Sequence, residues 1–336
     1  MGISRKTFSV LIIMALAATT LFSAVSCAPS YPKEILPEAV KTVCKDEYGM
    51  EVDVTLKGST VGIYHSMQGL LDENMGISKE SWDNISSLIL IASRVVLSTD
   101  ADIKFYCVIT QDTRMPELQV VIIKYVNDVK LGMYRNISRN EAFKRTLFSI
   151  NLTPQARKEK SVEYIFSKIG VEEGIKEKVL NEFFRSTPTR LSDIGYWRGQ
   201  FYLKDVTMPE FLASQIANRI KIDFRSEKPF KEDYSYTSSE GIYSKGIDSK
   251  YFLINFKIAE LGEKIDELKK LKIQKLLEIT SRVVSGYRFD EFNFVIMNDQ
   301  AEDVRLRVER KDVYDYNPRK TPLNDIVQAP KGYFGT

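Results

Sequence analysis

Side chains able to do chemistry are few in this 336-residue chain, and their spacing does not bring them together. His65 is the only histidine, and it falls at the end of a predicted strand, with no G-x-S-x-G serine anywhere in the chain. Nucleophilic catalysis needs an activated side chain beside a base, so no catalytic residue is expected. Neither an H-E-x-x-H motif nor a Gly-rich phosphate loop is present. Asp and Glu are plentiful but scattered. A glycosidase-like carboxylate pair is assembled in space rather than in sequence, so a cell-wall hydrolase stays open as a reading. The three cysteines, Cys27, Cys44 and Cys107, lack metal-ligand spacing, and neither a metal nor another cofactor is expected.

Cys27 ends a segment with its own logic. In "MGISRKTFSVLIIMALAATTLFSAVSC", basic Arg5 and Lys6 precede an apolar run from Phe8 to Phe22, and small residues then lead to the cysteine. That is the three-part pattern of a secretory leader over residues 1–26, followed by a short tether over 27–35. Ala24-Val25-Ser26-Cys27 resembles the lipobox of bacterial lipoproteins, with Ala24 where leucine is commoner. The resemblance implies cleavage before Cys27, a diacylglyceryl thioether on its nucleophilic sulfur, and acylation of the new amino terminus. Two or three acyl chains anchor a protein stably to a membrane, whereas one does so only marginally. Ala28, which is not aspartate, implies an outer-membrane address facing the periplasm in an organism that has one. The competing reading is an uncleaved membrane helix, since the apolar run approaches the roughly 20 residues that span a bilayer.

Formal charge is only +3, which gives no support for a nucleic-acid surface. Basic runs such as "KKLKIQK" alternate with apolar residues at helical spacing and read as a solvated helix face.

The elements that must position any site fall into two similar runs. In residues 36–150, "LPEAVKTVCKDEYG" predicts a helix ending near Gly49, with Val40, Val43 and Cys44 on one face. Residues 50–65 predict a hairpin. Ser78 caps a helix with Trp82, Ile85, Leu88, Ile89, Ala92 and Val96 on its apolar side, and "DIKFYCVIT" and "ELQVVIIKYV" follow as strands. In residues 205–330 the order recurs: a helix opened by the Thr207/Glu210 capping box, "IKIDF" opposite "MEVDV", "YFLINFKI" opposite "TVGIYH", a long helix, then "EFNFVIMND" and "DVRLRVERKDV". "IASRVV" at 91–96 and "ITSRVV" at 279–284 mark the same place in each copy. This internal repeat predicts an α+β fold of two helix-strand-strand-helix-strand-strand modules, each an antiparallel sheet with helices on one face. The element order and the hairpin "VDVTLKGSTVGIY" resemble small α/β modules of bacterial envelope proteins such as BON-like domains; the resemblance implies architecture and no activity.

Residues 151–204 belong to neither copy and predict two short helices broken at Gly170 and Gly174, then a loop in which Trp197 is an anchor between the copies. Residues 226–250 predict an expanded hairpin tip whose Tyr234, Tyr236 and Tyr243 form a candidate partner-binding loop. "GIY" at 62–64 and 241–243 also permits an alignment in which this segment is itself the second strand of the copy. Arg94 and Arg282 stand near equivalent helix ends, where a cation complements the helix dipole or, alternatively, holds an anion. Cys44 and Cys107 are candidates for a disulfide in an exported protein, the alternative being two buried thiols.

The function these features predict is a lipid-anchored, non-enzymatic envelope protein that binds or scaffolds an envelope protein partner. Its first alternative is a lipid-anchored protein holding a small molecule or lipid between the modules.

Overall fold

The computed structural model describes residues 31–330 apart from 74–75, 154–155, 157–167, 169, 171, 198, 248 and 263–264. The leader and Cys27 lie outside the described residues, as does much of the first predicted connector helix.

The first module runs α1 (Leu36–Tyr48), β1 (Asp53–Lys57), β2 (Thr60–Met67), α2 (Lys79–Leu97), β3 (Phe105–Asp112), β4 (Met115–Tyr125), α3 (Val126–Met133), α4 (Arg139–Lys144) and β5 (Leu147–Leu152). After α5 (Glu173–Arg185) and the ribbon β6 (Gly195–Trp197) and β7 (Gln200–Tyr202), the second runs α6 (Met208–Ser226), α7 (Phe230–Asp233), β8 (Tyr234–Lys245), β9 (Lys250–Glu260), α8 (Ile265–Gly286), β10 (Phe294–Asp299), β11 (Val304–Glu309), α9 (Arg310–Tyr314), α10 (Leu323–Ile326) and β12 (Val327–Gln328). Local signals place several ends: Gly49 at φ 66° stops α1, Ser78 Oγ caps α2, and the Thr207/Glu210 box opens α6.

The repeat is present in the topology. Sheet 1 is ordered β1-β2-β3-β4-β5 and sheet 2 β8-β9-β10-β11-β12. Both have the same sequence of pairings: antiparallel, parallel, antiparallel, antiparallel. The expectation of wholly antiparallel sheets is therefore corrected to mixed sheets. The reason is the helix between the second and third strand, which returns the chain to the same end of the sheet and makes those two strands parallel. The fifth strands β5 and β12 escaped the sequence reading because they are short and follow small helices.

"IKIDF" is also corrected. It is the last part of α6, where Ile216, Ile220 and Phe224 recur every fourth residue and are buried. Its place as first strand is taken by β8, so the expected loop at 226–250 is the short helix α7, then a strand with a short tip, and "YFLINFKI" in β9 keeps its equivalence to β2.

Apolar residues fill two cores. One joins α1 and α2 to one face of sheet 1 through Val40, Ile85, Leu88, Ile63, Val108 and Ile122. The other joins the opposite face of sheet 1 (Cys107, Ile109, Val121, Ile123) to α6, α8 and the inner face of sheet 2 (Phe252, Ile254, Val295, Met297). Helices and sheets thus alternate, and α6 serves both sheets: Phe211 meets Phe105 at 5.2 Å while Phe224 meets Tyr234 at 5.3 Å.

Ion pairs bolt the modules beside this core. Arg145 bonds Asp128 and Glu141 at 2.8 Å each, Arg219 bonds Glu141 at 2.7 Å, and Lys144 bonds Glu227 at 2.7 Å. Tyr287 of the α8 end donates to Asp128. Burial tends to raise the Glu141 carboxyl, but the bonds from Arg219 and Arg145 outweigh it and hold the group below its ordinary range. For Asp128 burial prevails over Tyr287 and Arg145, and the carboxyl sits above its ordinary range.

Candidate functional site: the cleft between the modules

A cavity of about 320 Å³ opens where β4 and β5 of sheet 1, α6, β8 and the segment Thr189–Ser192 meet. Both modules and the connector line it, so neither copy alone contains it.

Its floor is apolar and fixed. Val121, Ile123 and Leu147 belong to the sheet-1 face that packs on α6, and Leu191 closes the floor from the connector; all four are buried. The wall from α6 follows from that helix's two-sidedness. Phe211, Leu212, Ile216 and Ile220 are held in the core, which leaves Ser214, Ala217, Asn218 and Lys221 on the stripe lining the cleft. Ahead of the helix, Thr207 Oγ–H and Lys204 both bond Glu210, which also lines the cavity.

The opposite wall is β8, drawn against α6 by a close backbone approach. A Cβ on Gly241 would collide with the Ala213 carbonyl, so only glycine fits there. Beside it, Ser239 Oγ–H donates to Ala217 O at 2.8 Å. At the mouth, Arg190 of the connector pairs with Glu240 of β8. Other polar groups are partnered locally: Asn151 Nδ2 donates to Ser149 Oγ at 2.9 Å, and Asn218 Nδ2 points to Thr146 O at 3.5 Å. Lys221 differs from the other charged groups of the cleft. No carboxylate among the described residues pairs with it; the side chain is exposed at the rim, and partial desolvation, then the nearby charge of Arg225, hold its ammonium below the usual lysine range.

An apolar floor ringed by polar groups, with Lys221 at its rim unpaired by any carboxylate among the described residues, suits reversible binding of a small molecule. It is a poor arrangement for acid–base work. Glu210 and Glu240 are each held by a cation, and the cavity contains no histidine or cysteine. Among the described residues no three His, Cys, Asp or Glu side chains come together to hold a metal.

Most residues singled out from the sequence stand elsewhere. Of the three tyrosines, only Tyr243 lines the cleft; its hydroxyl donates to Glu291 O at 2.6 Å, while its ring packs on Phe252 and Phe289. Tyr234 is buried against Phe224 and Phe230 and donates to Leu268 O at 2.7 Å. Tyr236 lies under the Arg225 guanidinium, 4.9 Å from the ring centre. These are positions on one strand, two of them packed into the fold, and the exposed tyrosine loop expected from the sequence does not form. The disulfide is corrected too. Cys44 and Cys107 are both unpaired, because Cys44 packs in the core under α1 while Cys107 faces α6 from the other side of sheet 1. Burial pushes the Cys44 thiol up to about 11 and raises Cys107 as well. Arg94 is engaged by Glu47 through two hydrogen bonds, Arg282 by Glu278, and His65 Nδ1 lies 2.8 Å from Glu51 O. Trp197 sits on β6, and its neighbour Tyr196 stacks on Tyr64 of sheet 1 at 3.6 Å.

Sequence reasoning missed Arg190, Ser214, Asn218 and Lys221. A signal existed for the last three: Ser214, Ala217/Asn218, Lys221 and Arg225 repeat at helical spacing opposite the apolar stripe. It becomes visible only when "IKIDF" is read as helix.

Comparison with known proteins finds no matching family, no matching curated protein and no matching solved structure.

Proposed function

We propose that this chain is a non-catalytic binding protein of the cell envelope, tethered to a membrane through acylated Cys27, and that the cleft between its modules is the ligand site. The observation that carries the reading is the cleft itself: a buried apolar floor, supplied by sheet 1 and the connector, under walls from the second module and the connector, with its polar groups already oriented. Engagement of both cleft glutamates by cations favours binding over a hydrolase. Nothing in its charge balance favours nucleic acid as a partner.

The test uses the neutral apolar fluorophore N-phenyl-1-naphthylamine. Saturable enhancement is expected with the native protein, and loss of it in Ala217→Phe and in Ser192→Phe, two substitutions that fill the cavity from different elements. Urea midpoints equal to wild type exclude misfolding as the cause. Absence of binding, or binding indifferent to both substitutions, would remove the reading.

A second reading, docking of an envelope protein partner, draws on the outer face of sheet 2. There Ile242, Tyr251, Leu253 and Ile296 are half-buried beside exposed Lys257 and Arg305.

A further inference from the structure

The ionisable groups of the cleft differ in how they are satisfied. Glu210 is held by Lys204 and Thr207, and Arg190 and Glu240 hold each other. The nearby acids of the α6 region, Asp223 and Glu227, lie on another stripe and bond Lys144 and Lys275 at the module interface. Arg219 goes to Glu141. What remains on the cleft side is Lys221, followed four residues on by Arg225, which stacks on Tyr236 rather than meeting an acid. Like charges at this spacing repel along a helix, and a bound anion would relieve that repulsion. Below Lys221 the cavity offers Val121, Ile123, Leu147 and Leu191, which present no charge to a ligand body.

Resting on the reading of the cleft as a ligand site, we infer that its ligand is an anionic amphiphile, with an acyl-like body against the apolar floor and a carboxylate or phosphate headgroup paired with Lys221. The depressed ammonium of Lys221 fits this arrangement, because an anion would offset both its desolvation and the field of Arg225. Asn218 and Ser214 line the cavity on the same helix face as Lys221.

The experiment displaces N-phenyl-1-naphthylamine from the purified protein with decanoate, decyl phosphate and decanol, which share one chain and differ in headgroup. Displacement by the anions is expected at concentrations about tenfold or more below decanol, the range of one charge-assisted contact. Lys221→Gln should bring the anions back to the level of decanol, and Arg225→Gln should weaken them by less. A preference for decyl phosphate over decanoate would assign the headgroup to phosphate, and the reverse to carboxylate. If all three displace equally, or if Lys221→Gln keeps the preference for anions, the inference fails while the cleft reading stands. If the fluorophore itself does not bind the native cleft, both fail together.

Discussion

The two modules share an order of strands and differ in what lies on the back of the sheet. Asp112 and Asp299 fix the equivalence: each ends the third strand, each is fully buried, and each accepts a bond from the amide two residues on, Arg114 at 2.8 Å and Ala301 at 3.0 Å. Counting back along the paired strands sets Gly62 and Cys107 of sheet 1 against Tyr251 and Phe294 of sheet 2. In sheet 1 this face is roofed by the connector and α6; a Cβ on Gly62 would come within 2.9 Å of Leu203. In sheet 2 the same positions carry two stacked rings, 5.0 Å apart, with the Arg307 guanidinium 3.6 Å above Phe294. Where a neighbouring layer arrives the face is small and smooth, and where none arrives the sheet shields itself with its own large side chains.

The buried aspartates differ in their second partner, and this gives the largest expected effect. Asp112 receives the Leu70 amide at 2.8 Å, whereas Asp299 is met by Lys272, itself fully buried and also bonded to Glu260 at 2.5 Å. Lys272→Met removes the buried cation that bonds both carboxylates and should cost about 3–5 kcal/mol in urea denaturation. A cost below that of a surface ion pair would mean that the charges are solvated and the two modules are not distinguished in this way.

Substitution of back-face residues should come next. Gly62→Tyr places a ring where Leu203 and Phe201 pack and should cost about 1–3 kcal/mol, by thermal or urea unfolding. On the open face, Tyr251→Val keeps a strand-forming residue, loses only the ring contact with Phe294, and should cost about 1 kcal/mol or less. Equal costs would break the distinction between a roofed and an open face.

Acid should then loosen the junction between the modules. Glu141 is held below its ordinary range, and so is Glu227, chiefly by the bond from Lys144. Their contribution is complete above the ordinary glutamate value of about 4.3 and is lost as pH falls through the lower folded values. Asp128, displaced upward, acts in the opposite sense at higher pH. The urea midpoint should therefore fall steeply below pH of about 4, with a shallower slope in Glu141→Gln.

Arg94 and Arg282 should matter least. Each belongs to an ion pair that water reaches, so alanine at either position should shift stability by about 1 kcal/mol or less, and by similar amounts in the two modules.

How much of this could be seen in the sequence follows from the range of each signal. Capping boxes, the α1 terminus at Gly49 and the recurrence of whole elements are local or repeated, and they were legible. "IKIDF" satisfies both a strand and a helix period, and only the packing of Ile216, Ile220 and Phe224 between two sheets decides for helix. The strand "YSYTSSEGIYSK" reads as a loop because an edge strand pressed on a helix backbone at Gly241 needs few apolar residues. The parallel pairs were deducible from the crossover helices, although periodicity alone is silent about direction. The cleft was not legible, since its lining comes from segments about a hundred residues apart.

Because α6 belongs to the second module by sequence but completes the core behind sheet 1, that face of sheet 1 can be covered only after α6 has been synthesised. A nascent chain that has emerged only as far as β5 presents Cys107, Ile109, Val121 and Ile123 without their cover. At about 5–20 residues per second that interval lasts several seconds, long enough for a chaperone to act on it. The duplicated protein is thus obliged to finish both copies at once, and calorimetry on the whole chain should register one cooperative transition rather than two.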